Sequence, residues 1–140
     1  MAFTGNAFCT SAKVGFLKGL YAPLTDTMKI ALYTNSATLD ATTTAYSATK
    51  EVVGTGYTAG GNTLTGNAIS SGGTTAWLTF SDSAWTTATI TARGALIYDS
   101  TRANAAIAVL DFGADKTSTA GTFTVQMPVA AASTALIRIA

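Results

Sequence analysis

Histidine is missing altogether from this 140-residue chain. It is the side chain whose unperturbed pKa suits proton transfer near neutrality, so the commonest general acid and base of enzymes is excluded. Cysteine occurs once, as Cys9. One thiol forms no intrachain disulfide and no all-cysteine metal site, and without histidine ordinary structural zinc is excluded too. Charge is scarce: Asp, Glu, Lys and Arg make up 11% of residues, for a net charge of +1. The basic residues are scattered, whereas tight nucleic-acid binding draws on clustered phosphate contacts, so no nucleic-acid partner is expected. No apolar run approaches the roughly 20 residues of a membrane span, so no membrane partner is expected either. The first residues show no basic leader ahead of an apolar run; the expectation is a protein made and assembled in a cytoplasm.

Thr, Ser, Ala and Gly fill the spaces between short runs of Val, Ile, Leu, Phe and Tyr. Hydrophobic residues are 48% of the chain and mean hydropathy is +0.33. A chain of this length reads as one domain over residues 1–140, able to bury roughly two-thirds of its unfolded surface without metals or disulfides. With so little charge to hold copies apart, it is expected to assemble.

The helix candidate is 7–21, where Val14, Leu17, Leu20 and Tyr21 recur at spacings of three and four, with Lys13 and Lys18 at the margins. Gly15 and Gly19 each cost such a helix about 1 kcal/mol, so it should be short and rely on docking. Pro23 is expected to stop it. The rest reads as β. Met28–Thr34 puts Met28, Ile30 and Leu32 on one face; Glu51–Tyr57 reads as a strand bulged at Gly54 and Gly56. Further strands are expected at Leu64–Ile69, Ala76–Phe80, Thr89–Tyr98, Ala105–Phe112, Gly121–Met127 and Thr134–Ile139, with Trp85 in a short element of its own. Thr89–Tyr98 and Ala105–Phe112 look like a long antiparallel pair, apolar on both faces and so covered twice. Ala41–Ser47 and Asp115–Ala120 read as exposed loops. About eight strands with turn signals every 8–12 residues or so predict an all-β fold with one short N-terminal helix, an antiparallel β-sandwich of jelly-roll type, with a barrel as the alternative.

Candidate chemistry is thin. Gly54–Gly61 lacks the Lys-Ser/Thr pair of a phosphate loop and the βαβ setting of a dinucleotide loop, and reads as bulge and turn. Asp111-Phe112-Gly113 spells a kinase metal tripeptide without any other kinase part. Asp99, Asp111 and Asp115 match no calcium loop and read as solvated turn residues. Cys9 has no histidine to make it a thiolate and reads as buried. A Ser–Lys dyad or a pair of convergent acids has no local signature. Trp77, Trp85, Tyr33, Tyr46 and Tyr57 form either a stacking platform for sugars or bases, or core and cross-strand pairs. No catalytic, cofactor-binding or metal residues are therefore assigned. The apolar N-terminal segment, Phe3, Phe8, Phe16, Leu17, Leu20 and Tyr21, is the candidate contact surface; it covers the open side of the sandwich or docks on another subunit.

NAFCTSAKVGFLKGLY at 6–21, MKIALYTNSATLDATTTAYS at 28–47, EVVGTGYTAGG at 51–61, TARGALIYDS at 91–100, AVLDFGADKTSTAGTFTVQMP at 108–128 and TALIRI at 134–139 occur in consistent order across most of the chain. Together they resemble a family of small structural proteins of tailed bacteriophages, and within it a capsid cement (decoration) protein. The resemblance implies a jelly roll that decorates the outer surface of the virion capsid. It would clamp neighbouring major capsid protein subunits as a homodimer, or alternatively a trimer, after synthesis in the bacterial cytoplasm. It implies no catalytic residue and no cofactor. A tail, fibre or baseplate component that binds a receptor or glycan is the rival role.

Overall fold

The structure, a computed structural model, describes residues 3–140. Eight strands and one helix follow in the order β1 (Ala7–Phe8), α1 (Thr10–Leu17), β2 (Met28–Tyr33), β3 (Asn62–Thr63), β4 (Ala68–Gly72), β5 (Thr75–Thr79), β6 (Ser83–Asp99), β7 (Ala105–Val125) and β8 (Ile137–Ile139). All pairs between these strands are antiparallel. They form a five-stranded sheet, ordered β1-β7-β6-β2-β3, and a three-stranded sheet, ordered β4-β5-β8. This is the two-sheet, all-β architecture that the turn spacing predicts.

The β6–β7 hairpin dominates the fold. Its two strands are 17 and 21 residues long, joined through a turn at residues 100–104 in which Ala103 and Asn104 take positive φ. Trp85 belongs to β6 rather than to a short element, and the predicted Gly121–Met127 strand is the far end of β7. Residues 115–120 are strand rather than loop, though mostly exposed. Four register shifts divide the hairpin. At the widest, Gly94 pairs with Asp111 and Ala92 with Lys116, so residues 112–115 oppose Arg93 alone. Bulges of this kind twist an edge away from further pairing. Ala106, Ile107, Ala108 and Val109 are all buried, as expected of a strand covered on both faces.

β2 lies between β6 and β3, and every one of its residues but Lys29 is buried. Of the predicted Glu51–Tyr57 strand only a bridge from Glu51 to Tyr33 forms. The remainder is a loop pressed against β6, where Gly54 and Gly56 leave no room for a Cβ beside Thr89 and Ala88. Of the expected Leu64–Ile69 strand only Ala68 and Ile69 are strand, as the start of β4, and the last strand is reduced to Ile137–Ile139.

Helix α1 runs from Thr10 to Leu17, not 7–21. Gly19, not Pro23, ends it. Gly19 takes φ +69°, its N–H donates to Phe16 O at 3.1 Å, and Leu20 N–H donates to Gly15 O at 2.9 Å. Those two bonds close a Schellman cap, a position where glycine is favoured rather than costly. The buried face is Cys9, Ala12 and Gly15. The expected face is turned out: Val14, Leu17 and Leu20 are all exposed. Small residues win the inward face because the helix lies close to its support, with the Tyr21 ring over Gly15.

Candidate contact surface

The groups read as possible chemistry are absorbed by the fold. Cys9 is fully buried, and burial first, then the nearby Asp40 charge, push its thiol up to about 11. Asp111 accepts from Gly113 N–H at 2.8 Å and Arg93 Nε at 3.0 Å, which hold its carboxyl below the ordinary value. Asp115 accepts from Asn35 Nδ2 at 3.1 Å. Asp99 is not a solvated turn residue: it is fully buried, and its Oδ1 accepts the N–H groups of Thr101 and Arg102. Among the described residues no three Cys, Asp or Glu side chains gather as metal ligands. No helix among them is long and apolar enough to cross a membrane.

Four of the five aromatic candidates pack in or against the core rather than as a platform, and Trp77 is half-buried in the small sheet. Tyr33 and Trp85 are buried, Tyr46 stacks on Tyr98 at 4.6 Å between centroids, and Tyr57 packs near Trp85 at 5.9 Å. At the centre of the tyrosines sits Glu51, an acid with no prominence in the sequence reading. It is 6% exposed and accepts from Tyr46 Oη at 2.7 Å, Tyr57 Oη at 2.5 Å and Gly60 N–H at 2.7 Å. Tyr57 Oη in turn accepts from Leu32 N–H, and Tyr98 donates to Gly60 O. Burial, then Glu51, push the Tyr57 and Tyr46 hydroxyls well above the phenol range, and Tyr98 up to about 12. The carboxyl is fully occupied within the fold and ties the 51–60 loop to β2 and β6.

One open hollow is lined entirely by apolar residues. Between α1 and the small sheet lies a hollow of about 110 Å³ whose lining side chains are all aliphatic or aromatic, among them Phe8, Phe16, Pro23, Ile69, Trp77 and Ile139. Phe8 and Phe16 meet edge to face at 5.8 Å, and Phe16 meets Tyr21 in the same way at 5.2 Å. On the same segment of chain Leu17 is 90% exposed and Leu20 51%. Ile69 and Ile139, from the edge strands of the small sheet, are 52% and 60% exposed.

Of the six residues named from the sequence, Phe8 and Phe16 line the hollow, Tyr21 packs on Phe16, Leu17 and Leu20 are exposed, and Phe3 lies elsewhere. Phe3 is 2% exposed, its ring packed over Gly94 of β6, where a Cβ would collide with it. It is core and offers nothing to a partner. The residues missed are those of the small sheet. Their one signal was the absence of charge from the expected Leu64–Ile69 and Ala76–Phe80 strands.

No protein-family model, curated protein or solved structure matches the chain. The resemblance to phage structural proteins rests on the quoted sequence stretches alone.

Proposed function

We propose that this chain is a non-enzymatic structural protein of a tailed-bacteriophage particle. In this reading it is a cement protein that lies on the outer capsid surface and clamps neighbouring major capsid subunits, with a second copy of itself as a further partner. The observation that carries the reading is the face built by α1 and the small sheet. An all-apolar hollow stands open to solvent there, and on α1 itself Leu17 is 90% exposed. Apolar area left uncovered on a small folded chain marks a place for another surface. The acids Asp26, Glu51, Asp99 and Asp111 are meanwhile engaged in hydrogen bonds inside the fold.

A protein that binds only the assembled shell stabilises it by mass action, and many symmetric copies add avidity without any single strong contact. Such a protein needs a rigid framework and a docking face rather than a reactive centre. The test is electron cryo-microscopy of purified particles from a phage encoding this chain. Density repeated over the outer head surface is the expected result. Density confined to the tail supports the tail-component role instead, and absence from particles removes both.

A further inference from the structure

We propose that Asp26 and Asp99 share a single proton in the folded protein, and that this proton closes a clasp between the 22–27 segment and the β6–β7 turn. The clasp is separate from the docking face and goes beyond the cement-protein reading.

The two sides of the clasp are tied at several points. Ser100 N–H and Oγ both donate to Thr27 O at 2.9 Å, and Thr27 N–H donates to Thr101 Oγ1 at 2.8 Å. Arg102 reaches Asp26 through Nε at 2.8 Å and Nη2 at 3.1 Å. Asp26 also accepts the Ala22 N–H at 2.9 Å, which closes its own segment. Asp99 ends β6 at the base of the turn and is fully buried. Its Oδ1 accepts the Thr101 and Arg102 N–H groups at 3.0 and 3.2 Å. Its Oδ2 is buried and receives no hydrogen bond from any described residue.

Within hydrogen-bonding reach of this acid is the Asp26 carboxyl, an acceptor like itself. The charged groups that face Asp99 are Asp26 and Arg102; its strand partners, Met28 of β2 and Ala105 of β7, are uncharged. Two carboxylates against one guanidinium leave a buried charge unpaired and a buried oxygen orphaned, and both are costly. One proton removes both faults. The hydroxyl formed at Asp99 Oδ2 donates to the Asp26 carboxylate, and a single negative charge remains opposite Arg102. Burial, then Asp26, raise Asp99 above the ordinary carboxyl range, while Arg102 above all lowers Asp26 below it, so Asp99 keeps the proton. Loss of the proton sets two carboxylates against each other beneath the turn, and opening to water relieves them. The clasp is tight in mild acid and loosens as pH rises toward neutrality.

Carbon-detected NMR of the aspartate carboxyls in the full chain, from about pH 3 to about pH 9, reads the proton directly. The Asp99 signal should titrate above the ordinary carboxyl range, with the Asp26 signal moving in the same step. Amide exchange, expressed as protection relative to the intrinsic rate, reads the clasp. Protection of the Thr101 and Arg102 N–H groups should fall about tenfold between about pH 5 and about pH 7.5. It should stay below that of Leu32 N–H throughout, as local opening requires. In Asp99→Asn the carboxamide Nδ2 donates to Asp26 in place of the proton, and the fall should vanish. An Asp99 carboxyl that titrates at or below the ordinary range overturns the proposal, and this reading needs no variant. So does equal protection of the turn amides at the two pH values, or a fall that persists in Asp99→Asn. Turn amides as protected as Leu32 overturn it too, since exchange would then need unfolding of the whole chain.

Discussion

Glu51 Oε1 and the Tyr57 hydroxyl lie 2.5 Å apart, and the same oxygen also accepts the Gly60 N–H. The other carboxyl oxygen accepts from Tyr46, so three neutral donors converge on one buried acid. Removing an acceptor from buried donors costs more than the bonds themselves, because each donor is left desolvated. Glu51→Ala should destabilise the protein by about 3–5 kcal/mol. Glu51→Gln keeps one acceptor oxygen and should cost about 1–3 kcal/mol, with Tyr46→Phe below both. Urea unfolding gives the order; a Glu51→Ala variant as stable as the parent would falsify the keystone role assigned to this side chain.

The hairpin turn should make stability depend on pH in two opposite ways. Arg102 binds Asp26 through Nε at 2.8 Å and a terminal nitrogen at 3.1 Å, and this pairing lowers the Asp26 pKa from 3.8 to about 2. Asp99 is raised from 3.8 to about 6, by burial first and then by the neighbouring Asp26. Between about pH 4 and 6 the folded state holds the Asp99 proton and the unfolded chain has released it, so stability falls as pH rises through that window. Asp26 has the opposite sign: its contribution is present above about pH 4 and is lost as pH falls toward about 2. Asp99→Asn should flatten the fall between about pH 4 and 6, a change on the order of 1–2 kcal/mol, and leave the acid limb in place. Chemical denaturation across pH 2–8 or so reads both limbs. An unchanged profile in the variant would show that Asp99 does not titrate there.

How far these features were legible in the sequence depends on what each residue had to signal. Alternation marked β2 correctly, because Met28, Ile30 and Leu32 sit in a regular strand. The β6–β7 hairpin was seen in pieces because its bulges break the period of two: Thr87 and Ala120 take positive φ within the strands, and residues 112–115 oppose a single partner. The helix was found, but its inward face was misread. Hydrophobic spacing selects Val14, Leu17 and Leu20, whereas close packing selects Cys9, Ala12 and Gly15, which carry little hydrophobic signal. Glu51 was invisible for a related reason: its donors Tyr46, Tyr57 and Gly60 are supplied by loops, which have no periodicity to read. The apolar hollow was half legible, since its helical part is one segment while Ile69 and Ile139 come from strands far apart in the chain.

Cys9 should be inert in the folded protein. A thiol raised to about 11 holds little thiolate at neutral pH, and full burial denies access to reagents. A thiol-reactive dye at about pH 8 should label the native chain negligibly, and label it fully once urea unfolds it. Rapid labelling of the native state would place Cys9 at the surface and move α1 away from β7, whose Ile107 O accepts the Cys9 N–H at 2.9 Å.

Two substitutions on α1 separate what the helix does for the fold from what it does for a partner. Ala12 is fully buried, so Ala12→Leu forces extra methyl and methylene groups into a filled space and should cost about 1–3 kcal/mol. Leu17 is 90% exposed, so Leu17→Ser should change stability by no more than about 0.5 kcal/mol. Its effect should appear instead in binding to empty shells, as lower occupancy at equal concentration. Thermal or urea melts of the two variants, read beside occupancy on shells, give the comparison. A Leu17→Ser protein that melts normally and still decorates shells fully would remove the helix from the contact surface. One that unfolds would mean that Leu17 is packed in solution against something the isolated chain does not contain.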